Sequence, residues 1–332
     1  MSGLSNDLFV VTVMAYAIGM VAFAFDLAFR RTPTRVIRAA VTLPVEQTAE
    51  QKVLVGAGAS PAVPLAPPAP PGPPGTTSVE VSLEPERGYG RAGRIAVGAT
   101  IFGWLAHLAT IVTRGFAAHR VPWGNMYEFS TVVAFIVVSA FLVLLARQKV
   151  RWLGVFVLVP VVLYLGLAGT VLYVKAGPLV PALNSYWLKI HVVAAMSATA
   201  MFFVSGIVAL LYLAKVRRPA GALLSRLPDA ASLDRLTYGL VAFAFPIWTF
   251  AIMAGAIWAE AAWGRYWGWD PKETWSFITW VIYAAYLHSR ATAGWKGKRA
   301  AWFAVAAFSA LIINYYVVNT FIVGLHSYAG IK

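Results

Sequence analysis

Residues 152–174 read WLGVFVLVPVVLYLGLAGTVLYV, without one charged side chain. Crossing a ~30 Å hydrocarbon core at 1.5 Å rise takes about 20 apolar residues, so this stretch is long enough to span a bilayer. It is apolar all round rather than along one stripe, which separates a span from a surface helix. Working outward, seven more stretches behave alike: 8–29, 95–117, 128–147, 187–214, 238–259, 274–290 and 301–323. Pro160 and Pro246 fall inside two of the eight, where neighbouring helices re-satisfy the freed carbonyls and a local bend is expected. The first stretch lacks a basic leader and a small-residue cleavage site, so it reads as an uncleaved span. The expected fold is an all-α polytopic bundle of about eight transmembrane helices.

Composition supports that reading. Of 332 residues 60% are hydrophobic and 12% charged, against roughly 25% charged in soluble domains. The net charge of +14 would suggest an acidic partner in a soluble chain, but in a membrane chain basic residues collect in short cytoplasmic loops. Threading the eight spans puts 20 of the 27 Lys and Arg on one side. The other side holds Arg114, Arg120, Lys175, Lys189, Arg265, Lys272 and Lys332. The first side is therefore cytoplasmic, both termini lie outside, and no nucleic-acid partner is expected. Residues 30–94 join the first span, 1–29, to a seven-helix domain over 95–332. They contain eight prolines between Pro61 and Pro74 and read as a cytoplasmic, disordered, partly polyproline linker. With zero cysteines, any thiol chemistry belongs to another protein.

Chemistry concentrates in the external loop 260–275. Seven of the 13 tryptophans fall between Trp248 and Trp280, and Trp263, Tyr266, Trp267 and Trp269 crowd one short stretch. An interfacial belt is the simple explanation, yet belts place one or two aromatics per helix end. A platform for a large planar ligand fits better. Asp270, Pro271 and Glu273 form a capping-box pattern for the next helix, which would also fix where the loop sits. His191, four residues after Trp187, and His326, just beyond Gly324, face the same side as the tryptophans. Two histidines flanking an aromatic platform suit haem, whose iron takes an imidazole on each face, although either alone reads as an interfacial histidine. His288 lies about 15 residues beyond Glu273, ~22 Å along the helix toward the cytoplasm. His107 sits mid-span and His119 in an outer loop. Arg114, Arg120, Arg265 and Lys272 are possible partners for haem propionates, and the sequence does not choose among them. Asp26, Asn314 and Asn319 read as interfacial or interhelical polar contacts.

WGRYWGWDPKETWSFITWVIYAAYLHSR (263–290) resembles the tryptophan-rich WWD signature of membrane haem-handling proteins. The Pro-Lys-Glu-Thr-Trp and Tyr-Leu-His continuations are similar to the CcsA (ResC) family of cytochrome c biogenesis, called CcsB in some bacteria, rather than to CcmC or CcmF. VPWGNMYEF (121–129) and GLHSYAG (324–330) resemble two further family motifs, so the likeness runs over roughly 95–332. The resemblance implies a membrane component of a haem-lyase-type cytochrome c synthase in the bacterial plasma membrane, acting with a ResB-like membrane protein. It implies haem b bound non-covalently in transit at the extracytoplasmic face, with His191 and His326 as axial ligands. His288 would be a transient ligand on a route for haem from the cytoplasm. Trp263, Trp267, Trp269 and Trp275 would pack on the porphyrin, and Asp270 would order the loop. It further implies covalent attachment of haem to CxxCH of apocytochrome c, whose thiols a separate thiol-reducing protein would maintain. A b-type electron-transfer subunit is the alternative. It would need histidine pairs at two matched depths, and the sequence offers one external pair with two unmatched histidines.

Overall fold

The structure, a computed structural model, describes residues 2–29, 90–175, 177, 185–219 and 221–326. The expected disordered linker, 30–94, lies outside these up to residue 89, and its last residues, 91–94, are instead the first turn of α2. Among the described residues the chain is all helix and loop: α1 (Ser2–Phe29), α2 (Arg91–Ala118), α3 (Met126–Arg147), α4 (Leu153–Thr170), α5 (Tyr186–Arg217), α6 (Ala230–Trp263), α7 (Pro271–Ala291), α8 (Lys298–Ile312) and α9 (Val318–Phe321). A π turn, Ile313–Val317, joins α8 to α9. α1 packs along α2 and against α4, with α3 beside α4 and α5. α5 runs along α6, α6 meets α7, and α8 closes against α7 and α5.

Among the described residues seven helices are long and apolar enough to cross a membrane: α1 to α6 and the continuous stretch Lys298–Phe321. α7 is the exception among the eight expected spans. Its 21 residues extend about 31 Å, enough to cross. It is less apolar because Trp, Tyr, Ser and Thr replace aliphatic residues, with Lys272, Glu273, His288 and Arg290 near its ends. Neighbouring helices satisfy part of that polarity. Trp280 Nε1 donates to Thr249 Oγ1 on α6 at 2.9 Å, and Asn314 Nδ2 donates to Ser276 Oγ at 2.9 Å. Tyr283 and Tyr286 are fully buried, with Tyr283 stacked 3.8 Å from Phe202 of α5.

Helix starts follow their capping residues. Asn125 accepts the Glu128 N–H at 2.9 Å to start α3, and Asp229 accepts the Ser232 N–H at 2.6 Å to start α6. The capping box expected at Asp270 and Glu273 is present, with Pro271 in the first turn of α7. α6 ends at Gly264, whose φ of 70° reverses the chain into the tryptophan loop.

Buried charge ties the α2–α3 loop to the loop after α4. The Glu128 carboxylate, fully buried, accepts from Arg114 Nε at 3.1 Å, Arg120 Nη1 at 2.7 Å and the Gly124 N–H at 2.9 Å. Arg114 also donates to the Val174 carbonyl, and Arg120 Nε donates to that of Gly177 at 3.1 Å. Removing the one acid shared by two guanidiniums strands buried charge, which typically costs about 3–5 kcal/mol. Glu128→Ala is therefore expected to lower the thermal unfolding midpoint in detergent far more than Arg120→Ala. Equal midpoints would contradict this account of the pair.

Candidate functional site

Elements separated in sequence meet at one end of the bundle around a cavity of about 1300 Å³, part of it open to the outside. Its wall takes Trp123 and Asn125 from before α3, His191 from α5, and Trp248, Trp258 and Trp263 from α6. Tyr266 and Trp267 come from the following loop, Lys272 and Glu273 from α7, and Asn314, Tyr315, Asn319 and His326 from the end of the chain. A second cavity of about 560 Å³ adjoins it through Thr199, Leu311 and Tyr315 and extends toward Pro160 and Tyr164 of α4.

His191 and His326 are both brought to this wall, and each ring packs against Trp258. The His191 ring lies parallel to Trp258 at 6.2 Å, and His326 meets the edge of Trp258 at 5.8 Å and that of Trp263 at 5.0 Å. His191 Nδ1 is 2.7 Å from the Ala251 carbonyl oxygen, so Nδ1 carries the proton and the lone pair lies on Nε2. Gly255 makes that approach possible, since a Cβ there would stand 2.6 Å from His191 Nδ1. His326 Nδ1 is 2.8 Å from Asp270 Oδ2, so Nδ1 carries a proton and Nε2 is the nitrogen left to ligate. An imidazole whose Nδ1–H is held by a carbonyl or carboxylate is the arrangement that orients histidine for a metal.

Asp270 therefore does more than cap. Its Oδ2 accepts the Lys272 N–H at 3.2 Å and its Oδ1 accepts the Leu325 N–H at 2.7 Å. Gly324 allows the close approach, because a Cβ there would fall 2.6 Å from Oδ1. Burial alone would push the Asp270 carboxyl up, but the His326 ring and the two N–H donors hold it below the usual carboxylate range.

Glu273 fixes the loop from the other side. Its Oε2 accepts the N–H of Gly268 at 2.8 Å and of Asp270 at 3.1 Å, bracketing Trp269. Trp269 has φ of 58°, a left-handed conformation that a non-glycine residue adopts at a cost of about 1–3 kcal/mol. Its indole is 64% exposed, stands edge-on to Trp267 at 5.6 Å and does not line the cavity.

Of the other residues singled out in the sequence, Trp263, Trp267 and Lys272 line the cavity and Trp275 does not. Arg114 and Arg120 are engaged by Glu128 and loop carbonyls, away from the wall. Arg265 lies against Gly268 and is also outside the lining. His288 is exposed near the far end of α7, and His119 is the exposed left-handed cap of α2. His107 is buried 3.2 Å from the Tyr16 hydroxyl and against Phe135. Asn314 and Asn319 make the interhelical contacts expected of them, to Ser276 and Lys272. Sequence reading gave no site role to Trp258, counted only within the tryptophan cluster, or to Trp123, quoted only within VPWGNMYEF, and Gly255 carries no local signal of its own.

A membrane helix bundle with two oriented histidines on a tryptophan-lined cavity defines the class. The comparisons then give the family. A model described as cytochrome C assembly protein matches residues 123–326, a segment that begins and ends on residues of the cavity wall. The chain is 34% identical over 297 residues to the cytochrome c biogenesis protein CcsA of Synechococcus sp. (strain JA-3-3Ab), covering 72% of this chain and 85% of that one. It is 34% identical over 284 residues to CcsA of Pyropia yezoensis, covering 73% and 89%. The chain belongs to the CcsA family of cytochrome c biogenesis proteins and is a multi-pass membrane protein with a role in cytochrome c maturation. A solved structure, Cytochrome c Heme Lyase CcmF, shares the fold with a TM-score of 0.60 at 16% identity; the match covers 95% of this chain and 46% of that one.

A carboxyl group held below its ordinary value of ~3.9 adds stability that is complete above that pH and lost as pH falls through the lowered value. Acidification should therefore release the contacts of Asp270 to His326 and Leu325. Wild type is expected to lose thermal stability as pH falls below about 4, while Asp270→Asn starts lower by roughly 1–3 kcal/mol and changes less over that range. Parallel pH profiles would contradict the assignment.

Proposed function

We propose that this chain holds haem b, a substrate in transit, in the cavity between His191 and His326 on the extracytoplasmic side of the plasma membrane. The observation that carries the reading is the pair of imidazoles on one tryptophan-lined wall, each with Nδ1 held by an acceptor so that Nε2 carries the lone pair. The residues fit haem in kind: two imidazoles for the iron, indoles for the porphyrin faces, and no thiolate.

Haem supplies two vinyl groups, to which the thiols of CxxCH in apocytochrome c add. This chain positions it. Ala251 and Asp270 keep both rings in the ligating tautomer, Trp258 packs against both rings and Trp263 against that of His326. Trp267 and Tyr266 continue the apolar wall toward the outside, where Tyr266 is 61% exposed. The absence of cysteine leaves both thiols to the apocytochrome, kept reduced by another protein, and a ResB-like membrane protein completes the synthase. His288, exposed and outside the cavity lining, would act as a separate transient ligand for haem arriving from the cytoplasm. The electron-transfer alternative lacks its second pair, since His107 packs against Tyr16 and Phe135 while His288 is exposed on α7.

The test is the absorption spectrum of the purified full-length protein with haem, beside His191→Gly and His326→Gly. Wild type should show a six-coordinate low-spin spectrum. Each variant should lose it, bind haem about tenfold or more weakly and recover with added imidazole. Wild-type behaviour in both variants would refute the ligand pair.

A further inference from the structure

Lys272 is the one Lys or Arg among the described residues that lines the cavity. Its ammonium donates to Asn319 Oδ1 at 2.6 Å and to the Asn314 carbonyl oxygen at 3.3 Å, with the Tyr315 ring centroid 5.7 Å away. All of these partners are neutral. The two acids beside it in sequence are held elsewhere, Asp270 by Leu325 and His326 and Glu273 by the N–H groups of Gly268 and Asp270. An ammonium has three protons to donate, and a cation set in an apolar wall is stabilised by a charged partner.

A second polar group marks the same place. Asn314 lines the cavity, is 4% exposed, and its side-chain oxygen has no hydrogen-bond partner among the described residues. Asn314 reaches Lys272 from the π turn, whose widened backbone presents its carbonyl toward α7, and Asn319 reaches it from α9. Among the described residues, this part of the wall thus combines a cation without an ion pair and an acceptor without a donor. A carboxyl group answers both, as an anionic acceptor for Lys272 and, through a bridging water, as a source of a proton donor for Asn314.

We propose that Lys272 is the subsite for a propionate carboxylate of haem, so that the macrocycle lies with its carboxylate edge at the α7–π-turn wall and its vinyl edge directed away from it. The inference rests on the haem reading above. Of the four cations the sequence left open, Arg114, Arg120 and Arg265 lie outside the lining.

The experiment titrates the full-length protein in detergent with haemin and with haemin dimethyl ester, following the Soret band. Wild type is expected to bind the free acid about tenfold more tightly than the ester. Lys272→Met should bind both equally, near the affinity of wild type for the ester. Equal affinity of wild type for both forms, or a preference retained in Lys272→Met, overturns the assignment while leaving haem binding intact. The wild-type comparison decides the question even if the variant does not fold. Binding of neither porphyrin refutes the haem reading itself and takes this inference with it.

Discussion

The Asp270 carboxylate is the point on which the site depends. It belongs to the start of α7, yet two of its partners, Leu325 and His326, come from beyond α9. A carboxylate at a helix N-terminus is favoured by the unpaired N–H groups and by the helix dipole. Here that preference is extended to a second peptide N–H and to an imidazole. One charge thereby starts α7, docks the segment after the last helix, and sets the tautomer of His326. Glu273, which also lines the cavity, performs the complementary task on the loop, so the two acids of the WDPKE stretch fix its geometry.

Much of this was legible in the sequence because its cause is local. Apolar length gives the spans, and a capping box needs only residues three apart. Alternate threading puts His191, the tryptophan loop and His326 on one side before any packing is known. What could not be read needs tertiary approach. Nothing near Asp270 announces that its partners lie 55 and 56 residues away. Arg114 and Arg120 look like ligand cations until Glu128, buried between them, is seen to take both. Gly255 is an ordinary small residue of a membrane helix until His191 is found against it. The π turn at Ile313–Val317 has no sequence signature, yet it brings a backbone carbonyl to Lys272.

α7 is instructive in the opposite direction. By hydropathy it is the weakest of the eight helices, and its polarity is what lets it carry part of the site. Its first turn holds the loop and a cation, and its middle pairs hydroxyl and indole groups with α6 and the π turn. The strained backbone of Trp269 lies in the same loop and is maintained by the hydrogen bonds Glu273 makes on either side. Polarity and strain collect where the cavity is built, while the aliphatic helices supply the scaffold.

The central claim, that haem occupies the cavity between His191 and His326, is tested most directly by an electron cryo-microscopy map of the haem-loaded full-length protein. The account predicts porphyrin density against Trp258, Trp263 and Trp267 with iron between the Nε2 atoms of the two histidines. Haem density elsewhere, at His288 alone or outside the tryptophan wall, with this cavity empty, would contradict it.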